Sequence, residues 1–450
     1  MAKARITLVI SNLFHARSFF SGSLYEDFSK DFDLQIFFPA QVANRYKGQV
    51  TRYGVFELPE AAQDLAKLVL DASLIRNIHR STSFSFRLKR YVLGDYRRFL
   101  NFSPTGLLRL AKALLFATPV LYRFILYRYQ RAYLSDIQFN NQIIDFRPDV
   151  IMAWSTTIEP TTMLSIELAK LLGCKSICVF DNWDNLTSKS VLIQRPDYVV
   201  CFGPETKRLA IKIHRLEPDQ IRDLGSARFD SYIFAKSSNS KSRRNILIAG
   251  SSIALEDRKM LSEISKFIKM NCAKIAEEQL SFVYRPHPAP QGLSVDLDAW
   301  EYPEISIDES SKLNFKKTDS WQPQIELSSI LNSCKFVIAA PTTLLIEALI
   351  CGNRVLVPAL KVLRVKTSIR KMLTHLEHLK NLERINGVVV SYKLRDFHDN
   401  LYQLCFSDCN VDFVTNVEEL VRTKPGTFSS RLVSFVKEIL MQDGTAVKRD

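Results

Sequence analysis

The chain has 450 residues, of which 46% are hydrophobic and 24% are charged. This composition is typical of a folded globular protein and excludes a disordered one, and the length favours two domains of roughly 200 residues each. The formal net charge is +14, from 61 basic and 47 acidic residues. A basic balance favours anionic partners, such as phosphorylated substrates, nucleic acid or an acidic membrane surface.

The first half of the chain alternates between short apolar runs and helical segments. The predicted strands are 6–10, 34–38, 149–154, 175–180 and 198–202. Helices are predicted over 161–172, where Gly173 supplies the C-terminal cap, and over 204–214. This alternation predicts an α/β domain whose strands are parallel and joined by right-handed crossovers.

A basic segment near 86–135 interrupts this domain. Between Arg87 and Arg131 there are ten Lys or Arg residues and one acidic residue, Asp95. Apolar residues alternate with the cations, which predicts helices with a basic face, and no uncharged run approaches the about 20 residues that span a bilayer. Two interpretations stay open: helices packed on the domain with their cations in water, or a contact with an anionic membrane surface or acceptor.

The second half of the chain is predicted to form a separate α/β domain. A polar stretch at 236–244 is interpreted as the linker between an N-terminal domain over 1–235 and a C-terminal domain over 245–450. The predicted strands of the second domain are 246–249, 281–284, 336–339 and 355–357. A last helix near 430–441 is expected to close this C-terminal domain.

Polar motifs follow two of these strands directly, at the end where parallel α/β sheets bind ligands. Gly250 is followed by Ser251 and Ser252, a small turn whose N–H groups and hydroxyls suit a phosphate. The strand at 281–284 leads into Arg285 and His287, each followed by a proline that restricts the backbone. An Arg and a His held in this way suit a diphosphate.

A third motif, Pro341–Gly352, follows the strand at 336–339. Thr342 and Thr343 lie at the start of a short predicted helix, whose free N–H groups and dipole favour an anion. Glu347 lies in an apolar part of that helix and requires a partner. Ribose hydroxyls and a neighbouring Arg are the two alternatives for that partner.

Taken in order, Gly225–Asp230, Tyr284–Pro288 and Pro341–Gly352 resemble the C-terminal half of GT-B-fold transferases. They are most similar to bacterial surface-polysaccharide glycosyltransferases and to the CDP-glycerol glycerophosphotransferases of teichoic acid synthesis. The resemblance covers roughly residues 148–360. It implies an α/β protein of two Rossmann-like domains that face each other across a cleft, with the nucleotide donor on the C-terminal domain and the acceptor on the N-terminal domain.

The resemblance also implies roles for single residues. Arg285, His287, Thr342 and Thr343 would face the donor phosphates, and Glu347 would hold the ribose. The Ala-Pro-Thr-Thr sequence that ends at Thr343 departs from the Asp-x-Ser-Ser pattern usual in the glycerophosphotransferases, which argues against a glycerophosphate donor. No metal site is predicted, because GT-B enzymes stabilise the leaving diphosphate with a helix dipole and cationic side chains.

The general base is sought after the strands of the N-terminal domain. His15 lies in the loop after the first strand. Asp181 and Asp184 follow the strand at 175–180, on either side of Trp183, which suits stacking on a sugar. Glu159 is a weaker candidate. A general base must reach the acceptor hydroxyl and have a pKa near the operating pH of about 7. The sequence does not decide between His15 and the Asp181 loop on either ground, so the choice stays open.

We therefore predict a glycosyltransferase that moves a sugar from a nucleotide-activated donor to a growing cell-surface glycan, by inverting and metal-independent transfer. Its expected partners are the nucleotide sugar, which serves as donor substrate with no further cofactor, and a glycan or lipid-linked acceptor. Nucleic acid is not expected, because no nucleic-acid motif is present. The alternatives are a CDP-polyol phosphotransferase, a sugar-nucleotide 2-epimerase and a non-catalytic binding protein.

The expected location is the cytoplasm, and the alternative is peripheral attachment to the inner face of the cell membrane. The chain shows no secretory signal pattern near its start. Most of its eight cysteines lie in apolar runs, as expected of buried thiols in a reducing compartment.

Overall fold

The structure is a computed structural model that describes residues 3–20, 22–57, 60–91, 104–133, 137–157, 159–235, 243–251, 256–287, 299–308, 310–311, 323–363, 368–407 and 415–442. The chain divides into two compact units. The first takes in the chain up to Arg228, the short segment Leu376–His378 and the chain from Leu420 onward. The second comprises Phe229–His375 and Leu379–Glu419.

The first unit contains a seven-stranded parallel sheet with the order β3-β2-β1-β4-β5-β6-β7. The strands are β1 Arg5–Ile10, β2 Asp33–Pro39, β3 Tyr53–Phe56, β4 Val150–Trp154, β5 Lys175–Val179, β6 Tyr198–Cys201 and β7 Ile221–Asp223. Every residue of β4 is buried, because helices cover both faces of such a sheet. The helices are Leu13–Phe19, Leu24–Asp31, Ala40–Tyr46, Glu60–Arg76, Thr82–Tyr91, Pro104–Phe116, Pro119–Tyr133, Ile137–Phe146, Pro160–Leu172, Pro204–His214 and Phe428–Gln442.

The second unit contains a six-stranded parallel sheet with the order β10-β9-β8-β11-β12-β13. Its strands are β8 Asn245–Ala249, β9 Ser281–Arg285, β10 Ile305–Ile307, β11 Cys334–Ile338, β12 Arg354–Pro358 and β13 Val388–Ser391. The helices are Asp230–Ala235, Asp257–Met270, Cys272–Glu277, Pro323–Ser333, Thr343–Ile350, Ile369–His375 and Leu394–Phe406. Both units therefore have the predicted α/β architecture with parallel strands.

Local signals in the sequence are matched closely by the structure. The helix Pro160–Leu172 has a proline at its start and ends at Gly173, whose φ of +67° lies in the left-handed region that glycine tolerates. The helix Pro204–His214 has the predicted bounds.

The C-terminal helix corrects the predicted domain assignment, in which residues 245–450 formed one domain. Phe428–Gln442 belongs to the first unit, where Phe428, Leu432 and Val436 lie in the same core cluster as Ile6 and Leu8. Its apolar face is buried against the first sheet, so this helix closes the N-terminal domain. The sequence does not show which of two apolar sheets such a face will cover.

A second correction concerns the boundary between the domains. The first unit ends at Arg228 rather than at residue 235, and the helix Asp230–Ala235 belongs to the second unit. The segment Leu376–His378 also returns to the first unit, where Thr82 donates two hydrogen bonds to the carboxylate of Glu377, at 3.3 and 3.0 Å. Most of the predicted linker, residues 236–242, lies outside the described residues.

The predicted basic segment contains the helices Pro104–Phe116 and Pro119–Tyr133, named here the basic helix pair. Its inner face packs on the helix Glu60–Arg76, to which it is tied by an ion pair between Arg109 and Asp71, with 2.6 Å between the closest atoms. Part of the predicted segment, 92–103 and 134–135, lies outside the described residues.

Candidate active site

The carboxyl ends of the strands meet at one edge of each sheet, because all strand pairings are parallel. In the first unit, β1, β4 and β5 are neighbours, and the segments that begin at Ser11, Ser155 and Phe180 follow them. These segments carry the predicted base candidates. His15, which was predicted in a loop, lies in the helix Leu13–Phe19 that follows β1, and it is brought next to Glu159, which follows β4.

His15 and Glu159 form the central pair of this edge. The His15 ring is almost fully buried, and its Nε2 lies 3.6 Å from the Oε2 of Glu159. Ser11 and Asn12 donate hydrogen bonds to the same carboxylate, at 2.7 and 2.6 Å, and so does the N–H of Thr156, at 2.7 Å. The carboxylate is thus fixed by three donors while it faces the imidazole.

The charge of Glu159 is maintained by these contacts. Burial works against the ionised form, but the interactions with His15, Ser11 and the Thr156 N–H outweigh it and hold the pKa of the carboxyl below its ordinary value. Asn12 also positions the imidazole, because its side-chain oxygen accepts the N–H of His15 as the N-terminal cap of the helix Leu13–Phe19. An ionised carboxylate held in this way can orient a histidine and stabilise its protonated form.

Several buried polar atoms in the segments after β1, β4 and β5 have no hydrogen-bond partner within the described part of the chain. They are His15 Nδ1, Thr156 Oγ1, Thr161 Oγ1, Trp183 Nε1, and both side-chain polar atoms of Asn185. Native proteins rarely leave buried polar groups unpaired, so a group of them in the loops after β1, β4 and β5 indicates a place where a polar ligand binds. Trp183 belongs to the loop that the sequence singled out for sugar stacking.

Asp181 is placed differently from His15. It is buried, its Oδ2 accepts the indole N–H of Trp154 at 3.4 Å, and its Oδ1 accepts the hydroxyl of Ser226. Trp154 ends β4 and lies fully buried in the core. Both carboxylate oxygens of Asp181 are therefore used inside the domain, which indicates a structural role.

Asp184 makes an ion pair with Lys189 at 2.9 Å and accepts the hydroxyl of Ser188 at 3.2 Å. Burial opposes its charge, but Lys189, the Ser188 hydroxyl and the nearby His378 together outweigh burial and hold the pKa of Asp184 below its ordinary value. In the same loop Thr187 Oγ1 lies 2.8 Å from Nδ1 of His378, whose ring contacts Trp183 edge to face. Burial lowers the pKa of His378 to about 4, so this histidine is neutral at physiological pH.

In the second unit the sequence missed a residue that organises the carboxyl edge of the sheet. Asp257 is buried, accepts the hydroxyl of Tyr284 at 2.7 Å and accepts the N–H of Ser251 at 3.1 Å. Burial raises its pKa to about 6. A carboxylate in the first turn of a helix is common, so the sequence carried no distinctive signal for it.

Gly250 lies at the centre of this arrangement. A Cβ atom at this position would lie 2.7 Å from Asp257 Oδ2, 2.9 Å from the His287 nitrogen and 2.9 Å from the Tyr284 hydroxyl oxygen. Only glycine allows such a close approach of the turn to its neighbours. The turn after β8, which contains Ser251, and the segment after β9, which contains His287, are therefore brought together. Ser252 and Pro288 lie outside the described residues.

Arg285 is committed within the domain. Its guanidinium donates to the carboxylate of Asp308 and to the hydroxyl of Ser310, the latter at 3.1 Å. Asp308 is itself buried and follows β10. His287 is also partly buried, and burial lowers its pKa.

The third motif forms the predicted short helix. Thr342 is the N-terminal cap of Thr343–Ile350; its side chain is exposed and makes no capping hydrogen bond. Glu347 is buried in this helix. Gly352 follows the helix with a φ of +77°, and Arg243 donates to the carbonyls of Cys351 and Gly352 at 3.1 and 3.3 Å. The N-terminus of this helix thus follows β11 at the carboxyl edge of the sheet, while a cation caps its C-terminus.

Within the described ranges no three His, Cys, Asp or Glu side chains lie close enough together to share a metal ion.

Comparisons with known proteins show the fold. No family model and no curated protein sequence matches the chain. CalG4, the calicheamicin glycosyltransferase, is similar in structure with a TM-score of 0.55 and 9% identity, and the match covers 100% of both chains. A putative UDP-N-acetylglucosamine 2-epimerase from Listeria monocytogenes has a TM-score of 0.54 at 12% identity, over 98% of each chain.

A third solved structure, UDP-GlcNAc 2-epimerase from Methanocaldococcus jannaschii, has a TM-score of 0.52 at 9% identity and covers 96% of this chain and 99% of its own. What these proteins share with this chain is its succession of two Rossmann-like α/β domains. The predicted fold class, GT-B, is therefore confirmed. At such low identity the likeness concerns the fold and leaves the reaction to be inferred from the site.

Proposed function

We propose that this protein is a sugar-nucleotide enzyme, and that it is a glycosyltransferase in which His15 is the general base. The observation that carries the proposal is the buried pair of His15 and Glu159, with His15 Nδ1 left without a partner within the described ranges. If Nε2–H faces the carboxylate, the lone pair of Nδ1 is available to accept a proton.

In the proposed reaction Nδ1 of His15 takes the proton of an acceptor hydroxyl. The acceptor oxygen forms a bond to the anomeric carbon of the sugar, and the bond from that carbon to the diphosphate oxygen breaks. The electron pair leaves with the nucleoside diphosphate. Because the acceptor oxygen attacks from the face opposite the leaving group, the configuration of the sugar is inverted. Glu159 stabilises the imidazolium as it forms. Asn185, Trp183 and Thr161 supply polar atoms suited to a glycan or lipid-linked acceptor.

The donor is proposed to bind at the carboxyl edge of the second sheet. The support is the exposed cap of the helix Thr343–Ile350, the turn at Gly250 and the half-buried His287. The helix N-terminus and His287 would stabilise the diphosphate, and the buried carboxylate of Glu347 would accept hydrogen bonds from the ribose. Arg285 is proposed to stabilise the carboxyl edge of the second sheet through its ion pair with Asp308.

A thermal-shift panel of UDP-, GDP-, CDP- and CMP-sugars tests the donor site. We expect one nucleotide class to stabilise the protein and the shift to be lost in both His287→Ala and Glu347→Ala. The exposed residue His375 in the same domain provides the control, His375→Ala, which retains the shift. No shift with any member of the panel would refute the sugar-nucleotide assignment.

The base is tested by pH–rate profiles measured with the identified donor. His15→Ala should lower kcat by about 100-fold or more, while donor binding is retained. Glu159→Gln should lower kcat across the profile, because the imidazolium that forms on His15 loses its counter-charge. The surface histidine variant His79→Ala is the control. A profile that stays unchanged in Glu159→Gln contradicts the paired role.

A sugar-nucleotide 2-epimerase is the second candidate, because two of the structural neighbours described above carry that name. The two activities differ in their need for an acceptor. An epimerase converts its donor to the 2-epimer with no acceptor present, which NMR of the sugar ring detects directly. Release of CMP from CDP-glycerol or CDP-ribitol would instead show the polyol-phosphate reaction and refute both.

A further inference from the structure

The outer surface of the basic helix pair carries features that the proposed reaction does not use. Six large apolar side chains on it are each more than half exposed: Leu108, Leu114, Leu115, Val120, Phe124 and Tyr127. Scattered exposed apolar residues are common, but six on two consecutive helices are a concentration of the kind that marks an interaction site.

The charge of this surface has one sign. Pro104–Phe116 and Pro119–Tyr133 together contain five Lys or Arg residues and no Asp or Glu. Arg109 is neutralised by Asp71, but within the described ranges Lys112, Arg123 and Arg128 make no ion pair. The surface is therefore both apolar and positively charged.

The second helix of the pair shows how the two kinds of side chain are combined. Val120, Arg123, Phe124, Tyr127 and Arg128 are all exposed, and their spacing of three and four residues places them on one face. The opposite face is anchored in the domain. There Ile125 and Tyr129 are buried, and Arg76 donates to the carbonyl of Ala117 at 2.6 Å.

The pair cannot cross a bilayer as one straight helix. Within the described ranges no single helix is long and apolar enough to span, and the only pair that passes on length and composition, Leu108–Phe116 with Pro119–Ala132, is bent by 100°. A bent, anchored pair with cations beside apolar side chains suits the boundary between lipid headgroups and acyl chains. There the headgroups contact the cations, and the acyl chains bury the apolar side chains.

We propose that the outer surface of the basic helix pair docks on a bilayer that contains anionic lipids. This role goes beyond the proposed reaction and does not depend on it. A second copy of the chain fits less well, because a symmetric contact would bring the cations of the two copies together. Nucleic acid accounts for the charge but not for the six exposed apolar side chains.

The position of the pair is compatible with catalysis at the surface. Tyr129, on the buried face of the second helix, lines one small cavity together with Glu159, Thr162 and Met163. The helix that would meet the lipid on its outer face thus contributes to the surroundings of the candidate base on its inner face. Docking would bring the acceptor side of the first unit close to the membrane surface.

Co-sedimentation with vesicles tests the proposal. The full-length protein should bind vesicles of phosphatidylcholine with added phosphatidylglycerol, and bind vesicles of phosphatidylcholine alone much more weakly. Added salt should weaken the binding. Replacing two cations, Arg123→Gln with Arg128→Gln, should reduce partitioning about 25-fold, since each basic residue near an anionic surface contributes about a factor of five.

Replacing two apolar residues, Leu115→Ser with Phe124→Ser, should reduce partitioning on the order of a hundredfold. A matched control is Leu171→Ser with Met270→Ser, which removes apolar groups of 70% and 67% exposure from elsewhere on the chain. This control should bind vesicles as the unaltered protein does. All variants should melt as the unaltered protein does and keep the donor-induced thermal shift, so loss of docking is distinguishable from loss of the donor site.

The proposal is overturned if the protein does not bind the anionic vesicles, or if the apolar variant binds them as well as the control does. It is also overturned if light scattering shows a dimer that Leu115→Ser with Phe124→Ser abolishes, because the patch would then be an interface between copies. Binding of RNA or DNA that both double variants weaken equally, without vesicle binding, would assign the surface to nucleic acid.

Discussion

The buried carboxyl of Asp257 provides a sharp test of how the second unit is built. Asp257 is 2% exposed and accepts hydrogen bonds from Tyr284 and from the N–H of Ser251. Burial raises its pKa from 3.8 to about 6, and these two hydrogen bonds only partly offset the effect. The substitution Asp257→Asn keeps the shape and an accepting oxygen but removes the ionisation.

The magnitude follows from the two pKa values. Below the unfolded value of 3.8 the carboxyl is protonated in both states and its ionisation has no effect on stability. Between 3.8 and about 6 the unfolded chain releases the proton first, so the free energy of unfolding falls as pH rises. Above about 6 the loss is complete, and at about 1.36 kcal/mol per pKa unit it amounts to about 3 kcal/mol.

Asp257→Asn should therefore gain about 3 kcal/mol relative to the unaltered protein between about pH 4 and about pH 7. Urea denaturation followed by circular dichroism at a series of pH values measures this difference, using the transition of the second unit. Asp399→Asn, which makes the same chemical change at an exposed carboxylate, is the control. A difference between Asp257→Asn and the unaltered protein that does not vary with pH would refute the reasoning.

Three further predictions concern single residues. Asp181→Ala should lower the free energy of unfolding by about 1–3 kcal/mol, because the buried indole N–H of Trp154 loses its acceptor. Asp181→Asn should reduce kcat by much less than the roughly 100-fold expected on loss of a general base. Gly250→Ala should abolish the donor-induced thermal shift and destabilise the protein by about 1–3 kcal/mol, since its Cβ would lie 2.9 Å from a backbone nitrogen. With a thiol reagent on the native protein, mass spectrometry should find Cys272, which is exposed, labelled well before Cys201, because burial raises the pKa of the latter thiol.

The strands show where sequence reasoning succeeds and where it fails. All nine predicted strands are present, and each lies in the interior of one of the two sheets. The four strands that were missed, β3, β7, β10 and β13, are the four edge strands. Interior strands of a parallel sheet are covered on both faces and are continuously apolar, whereas edge strands are short and half exposed, so their sequences lack that signal.

The candidate site divides in the same way. The rule that ligands bind at the carboxyl ends of parallel strands selected His15, Asp181, His287 and Thr342, and each of them lies in a segment that follows a strand. It did not distinguish a carboxylate used in the core, such as Asp181, from one that faces a histidine, because that distinction depends on which side chains meet.

The sequence by itself determined the fold class, the interior strands, the helix ends at Gly173 and Gly352, and the motifs that follow the strands. These depend on local patterns of apolar residues, glycine and proline. Tertiary structure alone decided that Glu159 pairs with His15, that Asp308 engages Arg285, and that the C-terminal helix completes the first domain. Each of these contacts joins residues far apart in the chain, where the partner is selected by packing in three dimensions rather than by neighbouring sequence.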